Sequence, residues 1–399
     1  MAGSGSMQRR GENSWLLTVS DGVDGKGGRV RYTRTVTANS PREAKKLLAK
    51  FVVEVDGGLF ADSENLTFEG FVKLWLKNYA EKQLAPMTVA RYKAMLDSRI
   101  LPVLGRLKME KIRPGHLIEF FNELENSTRL DGKLDQDGKP AKLSDQTLKH
   151  HYRCISAILQ DAVEWQIIAH NPAARVKPPK TERKQITCYD EEQTAILLKA
   201  IANEPLKCRV LVFLEIVTGL RGGEMMGLEW KHVDFENNTI TVKQASQYLP
   251  GMGIFTKDPK NKGSERTIAI PSEITALLKE YRKEQLERQL RIGSQWKGSD
   301  RLFTTWDGMP GYPGWPGKWL HSFIEKKNLP HTTFHGLRHL NATLLIKAGI
   351  PLKNISTRLG HSVVGTTADI YGHSLKSVDR QAAETMGDII IGSKLATIK

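Results

Sequence analysis

Residues 334–339 read Phe334-His335-Gly336-Leu337-Arg338-His339. On a helix, His335, Arg338 and His339 fall within about one turn, so at least two of them share a face. The two histidines have the i, i+4 spacing of a zinc pair. No glutamate of an HExxH pattern stands between them, and Arg338 would repel a cation, so no metal is expected. Upstream lies Thr218-Gly-Leu-Arg-Gly-Gly-Glu224. An apolar run, Val210 to Val217, meets a Thr-Gly break that can present Arg221 at the mouth of a helix, with Glu224 in ion-pair reach. Between the two stretches lies a lysine-rich turn, Thr256-Lys-Asp-Pro-Lys-Asn-Lys-Gly263, ending at Arg266-Thr-Ile-Ala-Ile-Pro271. Strand-like patches at Thr239 to Val242 and Thr267 to Ile270 bracket it. Downstream come Leu359-Gly-His361 and Tyr371-Gly-His373.

The charge points the same way. Lys and Arg number 59 against 44 Asp and Glu, a net +15, which favours a polyanionic partner such as nucleic acid. Apolar residues make up 40%, enough for buried cores. No apolar run reaches the roughly 18 residues of a membrane span. The 3 cysteines, Cys154, Cys188 and Cys208, lack CxxC spacing and read as reduced thiols.

The chain reads in pieces. Residues 1–6 read as a leader outside the fold. Residues 7–60 give a strand at Trp15 to Val19 and an alternating strand at Arg29 to Thr37, whose Arg29, Arg31, Thr33 and Thr35 form one face. A helix follows, opened by Ser40-Pro41-Arg-Glu43. Residues 63–172 read as a helical bundle, with starts at Thr67, Pro86, Arg113-Pro114 and Ser144, a surface loop over 126–142, and basic stripes carrying Arg91, Lys149, His150 and Arg153. Residues 173–185 form a basic, proline-rich linker with Lys177, Lys180 and Arg183. Residues 186–399 hold the chemistry-bearing motifs and end in an amphipathic pattern of Val378, Ala382, Ala383, Met386, Ile389 and Ile390.

Each motif alone is ordinary. In this order they resemble the tyrosine recombinase family: TGLRGGE at 218–224, the hairpin lysine ahead of RTIAIP, HGLRH at 335–339, LGH at 359–361, and Tyr371 within TTADIYGH. The resemblance implies a multidomain, mainly α fold. A small β-hairpin-plus-helix arm-binding module would precede a helical core-binding bundle and a mixed α catalytic domain with a small β-sheet. It implies the catalytic set Arg221, Lys260, His335, Arg338, His361 and Tyr371, supported by Glu224, with Lys257 and Lys262 as alternatives for the lysine. It implies a site-specific recombinase of a phage or conjugative element that cleaves DNA through a 3′-phosphotyrosyl link, with no cofactor, metal or ATP. Its partners would be double-stranded attachment-site DNA and three further copies of itself on synapsed DNA, joined by the terminal helix in trans. An excisionase or a host DNA-bending protein would join them, in the cytoplasm and nucleoid of a bacterial host. A type IB topoisomerase, a non-catalytic DNA-binding protein and a metal-dependent hydrolase are the competing readings.

Overall fold

The computed structural model describes residues 4–23, 29–56, 66–180, 188–257 and 265–360, with residue 365 and residues 384–387. The chain divides into two compact units, Met1–Arg183 and Lys184–Lys399.

The first unit opens with β1 (Ser4–Arg9), β2 (Ser14–Val23) and β3 (Arg29–Thr37), an antiparallel sheet in that order. Residues 4–6, expected to belong to a leader outside the fold, instead lie on β1. Ser4, Gly5 and Ser6 pair with Ser20, Val19 and Thr18. Their small side chains suit a strand lying close beneath a helix: a Cβ at Gly5 would sit 2.9 Å from Val52 Cγ2. On β2 the apolar alternation buries Trp15, Leu17 and Val19. On β3 it leaves Arg31, Thr33 and Thr35 exposed, with Tyr32, Arg34 and Val36 half-buried. The side chain of Arg29 lies outside the described residues. Arg34 turns inward and places its guanidinium 4.6 Å from the Phe51 ring centroid, a cation–π contact. Helix α1 (Pro41–Asp56) covers the sheet. Its start is secured as the sequence suggests: Ser40 Oγ accepts from the Glu43 N–H at 3.2 Å, and Glu43 Oε2 accepts from the Asn39 N–H at 2.9 Å.

The rest of this unit is helical: α2 (Phe68–Trp75), α3 (Glu81–Gln83), α4 (Pro86–Met95), α5 (Leu101–Leu104), α6 (Pro114–Asn126) and α7 (Asp145–Glu164). Single π-helical turns, Leu76–Ala80 and Leu96–Ile100, join α2 to α3 and α4 to α5. Thr67 Oγ1 caps α2 by accepting from the Gly70 N–H at 3.1 Å, and Ser144 Oγ caps α7 by accepting from the Thr147 N–H at 3.3 Å. Phe68, Phe71, Trp75, Leu117, Phe120, Ile155, Ile158 and Leu159 fill one core. Trp75 donates its Nε1–H to Asp161 Oδ2 at 2.5 Å, so its polar edge is satisfied inside that core. The linker expected from residue 173 begins later. Pro172–Arg175 is a 3-10 turn whose Pro172 and Ala173 are buried, and Val176 joins the bundle core. Lys177 and Lys180 follow, both exposed, and Arg183 lies outside the described residues.

The second unit contains α8 (Glu191–Ile201), α9 (Leu206–Thr218), α10 (Gly222–Gly227), β4 (Val233–Asp234), β5 (Thr239–Val242), β6 (Ala245–Leu249), β7 (Gly253–Lys257), β8 (Arg266–Ala269), α11 (Ser272–Ile292), α12 (Trp315–Lys326), α13 (Phe334–Lys347) and α14 (Leu352–Leu359). The main sheet has the order β4-β5-β8. Between β5 and β8 the chain makes a second antiparallel hairpin, β6 with β7, which the sequence reading passed over. Its turn uses Gly251 and Gly253 at φ +83° and +75°, a backbone region that glycine tolerates. Thr256 and Lys257, read as turn residues, are therefore the end of β7. Leu211, Leu214, Met225, Ile240, Ile268, Leu278, Leu337 and Leu340 pack into one core that joins helices to sheet. No helix among the described residues is long and apolar enough to cross a membrane.

The Trp75 packing predicts that Trp75→Ala destabilises the bundle by about 3–5 kcal/mol. Denaturant titration of the full chain checks this; a loss below about 1 kcal/mol would show that Trp75 is not the anchor of that core.

Candidate active site

The site grows from three chain breaks in the second unit. The first is the end of α9. Gly219 takes φ +60° there, and its backbone N–H donates to Glu215 O at 2.7 Å. A Cβ at this position would lie 2.6 Å from Leu359 Cδ2 and 2.8 Å from Asn341 Oδ1, so both the dihedral and the packing demand glycine. Two residues on, Arg221 stands at the N-cap of α10. Its backbone N–H donates to Glu224 Oε2 at 3.0 Å and its Nη1 to Glu224 Oε1 at 2.8 Å. The ion pair expected from the sequence is thus present, while the Arg221 side chain stays 44% exposed.

The second break is the start of α13. Thr333 caps it by accepting from the Gly336 N–H at 3.0 Å. The HGLRH stretch therefore occupies the first turns of the helix. Arg338 points inward and is only 1% exposed. His335 lies on the exposed side, with its ring 4.6 Å from that of His339 and edge-on to it. Enclosure by the surrounding protein lowers the His335 pKa, and the charges of Arg338 and Arg221 lower it further. Its imidazole is therefore biased toward the neutral, proton-accepting form. Among the described residues no third His, Cys, Asp or Glu joins the two histidines in a metal-sized cluster.

The third break is the end of α14, where Gly360 takes φ +68°. The carbonyls left over at this terminus are captured by three arginines. Arg266 Nε donates to Arg358 O at 2.7 Å, Arg338 Nη2 to Leu359 O at 2.7 Å, and Arg221 Nη2 to Gly360 O at 2.9 Å. A helix C-terminus carries partial negative charge, so cations settle there. A Cβ at Gly360 would come 2.7 Å from Arg266 Nη1, which explains the glycine of the LGH motif. Arg338 also donates through Nη1 to Gly219 O at 2.5 Å, tying the first break to the third.

Arg266 is a site residue that sequence reasoning missed. It is 8% exposed and closes a second pair on Glu224, with Nη2 2.8 Å from Oε2 and Nη1 3.3 Å from Oε1. Burial pushes the Glu224 carboxyl up, but the Arg266 and Arg221 guanidiniums dominate and hold it at about 2. Arg358 adds a fourth guanidinium, with Nη2 3.0 Å from both Val217 O and Ala269 O. Two guanidiniums thus pair with the ionised Glu224 while Arg338 and Arg358 hold backbone carbonyls, and the excess positive charge suits a phosphate. Lys257 is half-buried at the end of β7. Lys260, Lys262, His361 and Tyr371 lie outside the described residues, as do most of the amphipathic positions after residue 377.

In the first unit, the charges of Arg91 and Arg153 both act on His150, so α4 and α7 bring three of the basic residues singled out in the sequence into one patch. Lys149 is half-buried beside them on α7.

Comparison with known proteins bears on the family and the fold. Residues 188–377 match the model of the phage integrase family, and residues 67–125 match the N-terminal SAM-like domain of phage integrases. Together the two matches span more than half of the chain, which belongs to the phage integrase family and is a tyrosine recombinase. A XerC-like tyrosine recombinase of Caldanaerobacter subterraneus is 28% identical, over 98% of this chain and 100% of that protein. The ICEBs1 integrase of Bacillus subtilis is 25% identical, over 96% of this chain and 100% of that protein. Among solved structures, the Tn1549 transposon integrase in complex with a circular intermediate DNA superposes with a TM-score of 0.64 at 21% identity, covering 80% of this chain and 99% of that one. A lambda integrase tetramer bound to a Holliday junction gives a TM-score of 0.54 at 16% identity, covering 90% and 95%.

The double clamp on Glu224 predicts that Arg266→Ala, which leaves that buried charge half compensated, costs about 3–5 kcal/mol. Thermal and denaturant unfolding check it; a cost below about 1 kcal/mol would show that Arg221 alone suffices. Folding lowers the Glu224 pKa from its ordinary 4.5, so the stability it contributes is complete above that value and is lost as pH falls toward about 2.

Proposed function

We propose that this recombinase moves a mobile element into and out of double-stranded attachment-site DNA through a covalent bond to Tyr371. The observation that carries the reading is the clustering of Arg221, Arg338 and His335 with excess positive charge, the Arg221 donors staying partly exposed. A phosphodiester repels anionic nucleophiles, so an enzyme that attacks it needs preorganised positive charge. Arg221 and Arg338 would each direct N–H donors at the non-bridging oxygens and stabilise the pentavalent transition state. The Tyr371 phenol loses its proton to His335 and its oxygen attacks phosphorus. The bond from phosphorus to the 5′ oxygen breaks, and Lys260 supplies the proton that the leaving oxygen takes. His361 donates a hydrogen bond to the phosphate. The result is a 3′-phosphotyrosyl link and a free 5′ hydroxyl. The link conserves the energy of the broken bond, so a partner strand's 5′ hydroxyl can displace the tyrosine without ATP or metal.

The other basic residues fit DNA handling. Arg31, with Arg29 on the same strand, would present a basic sheet face to arm-type DNA. Arg91, Lys149, His150 and Arg153 would meet the phosphates of the core site, with Lys177, Lys180 and Arg183 following the backbone beyond it. The Tn1549 and lambda complexes support DNA as the partner, and the lambda tetramer on a Holliday junction supports a tetramer in which strands are exchanged. The residues after 377 would then join neighbouring protomers in trans.

The test is incubation with a nicked attachment-site DNA in EDTA. Wild type should form a covalent protein–DNA adduct, Tyr371→Phe none, and Arg338→Ala about 100- to 1000-fold less. The lowered His335 pKa places the acid limb of cleavage below pH 6.5, with the rate rising as pH increases through it. Loss of the wild-type adduct in EDTA, or its survival in Tyr371→Phe, would refute the assignment.

A further inference from the structure

Glu215 lies on α9, one helical turn before the Gly219 break, and is 0% exposed. Both of its carboxyl oxygens are buried without a hydrogen-bond partner among the described residues. A buried ionised carboxylate in that condition is strongly disfavoured, and the group escapes the penalty by keeping its proton. The charged groups that act on it from neighbouring helices are Arg338 on α13 and Glu224 on α10. Its surroundings differ from those of Glu224 in one decisive way. Glu224 is ion-paired with both Arg221 and Arg266, whereas among the described residues Arg338 is ion-paired with none. Arg338 instead donates to two backbone carbonyls, Gly219 O and Leu359 O.

We propose that Glu215 is a positioning residue for Arg338: a neutral buried acid that leaves the guanidinium's charge uncompensated for the incoming phosphate. The reading rests on the phosphate-binding role of Arg338 proposed above. Burial pushes the Glu215 carboxyl well above its ordinary range, and the nearby Glu224 charge pushes it further, against the opposing pull of Arg338. Once ionised, Glu215 would compete with the phosphate for Arg338 and draw it off the carbonyls that aim it. A permanently neutral residue at this position removes that competitor, so cleavage should persist to higher pH.

The experiment compares wild type, Glu215→Gln and Glu215→Met as full-length chains, by infrared spectroscopy at pH 7 and by adduct formation across pH. Each cleavage profile is normalised to its own maximum. Wild type should show a protonated-carboxyl band that both variants lack, and the alkaline limb of both variants should lie at higher pH than that of wild type. Absence of the wild-type difference band, or three superposable profiles, would overturn the proposal. Failure of wild type to form any adduct would count against the phosphotyrosyl reading, while the infrared comparison would still decide the protonation of Glu215. If Glu215→Gln does not fold, Glu215→Met gives the same two readouts.

Discussion

Three consecutive carbonyls at the end of α14 are held by three arginines from three different parts of the second unit. Arg266 takes Arg358 O, Arg338 takes Leu359 O and Arg221 takes Gly360 O. The residues that hold this helix end are widely separated in sequence, so the contacts fix segments that local structure cannot fix. Each guanidinium is held by a fixed backbone carbonyl, which limits the reorganisation that a flexible arginine would require. His361 follows directly on the last of these carbonyls in the chain.

Charge balance follows from the same arrangement. The helix terminus offers partial negative charge but no formal anion, so it can gather guanidiniums without neutralising them. Glu224 is the ionised acid inside the cluster, and its two arginine partners hold its pKa near 2. Burial and neighbouring positive charge lower the Arg338 pKa to about 10, which still leaves it charged at neutral pH. The same enclosure and charges bias His335 toward its neutral form. Under the proposed function, this cluster would supply fixed positive charge for a phosphate and a neutral base for a phenol.

The parts legible in the sequence were those set by local rules. The caps at Thr67 and Ser144, the Pro86 and Pro114 helix starts, the β3 alternation and the Thr-Gly break before Arg221 each depend on a few neighbouring residues. In the sequence Arg266 looks like the tail of a lysine turn, because its partners, Glu224 and Arg358, lie 42 and 92 positions away. Glu215 sits inside the apolar run from Val210 to Val217, where a lone acid breaks no periodicity and carries no signal. The β6–β7 hairpin carries a mixed, half-exposed pattern without clean alternation, and only Gly251 and Gly253 marked its turn. Residues 4–6 read as part of a leader because glycine and serine carry no strand signal. Their place comes from pairing with β2 and from the close approach of α1.

The central claim is that the arginines gathered at the α14 terminus divide into two that bind phosphate and one that holds the scaffold. The most direct measurement is a crystal structure of the full chain trapped on attachment-site DNA. The account predicts Arg221 and Arg338 on the non-bridging oxygens of one scissile phosphate, with Arg266 still paired to Glu224. Arg266 bound to the phosphate, or Arg338 turned away from it, would contradict the account.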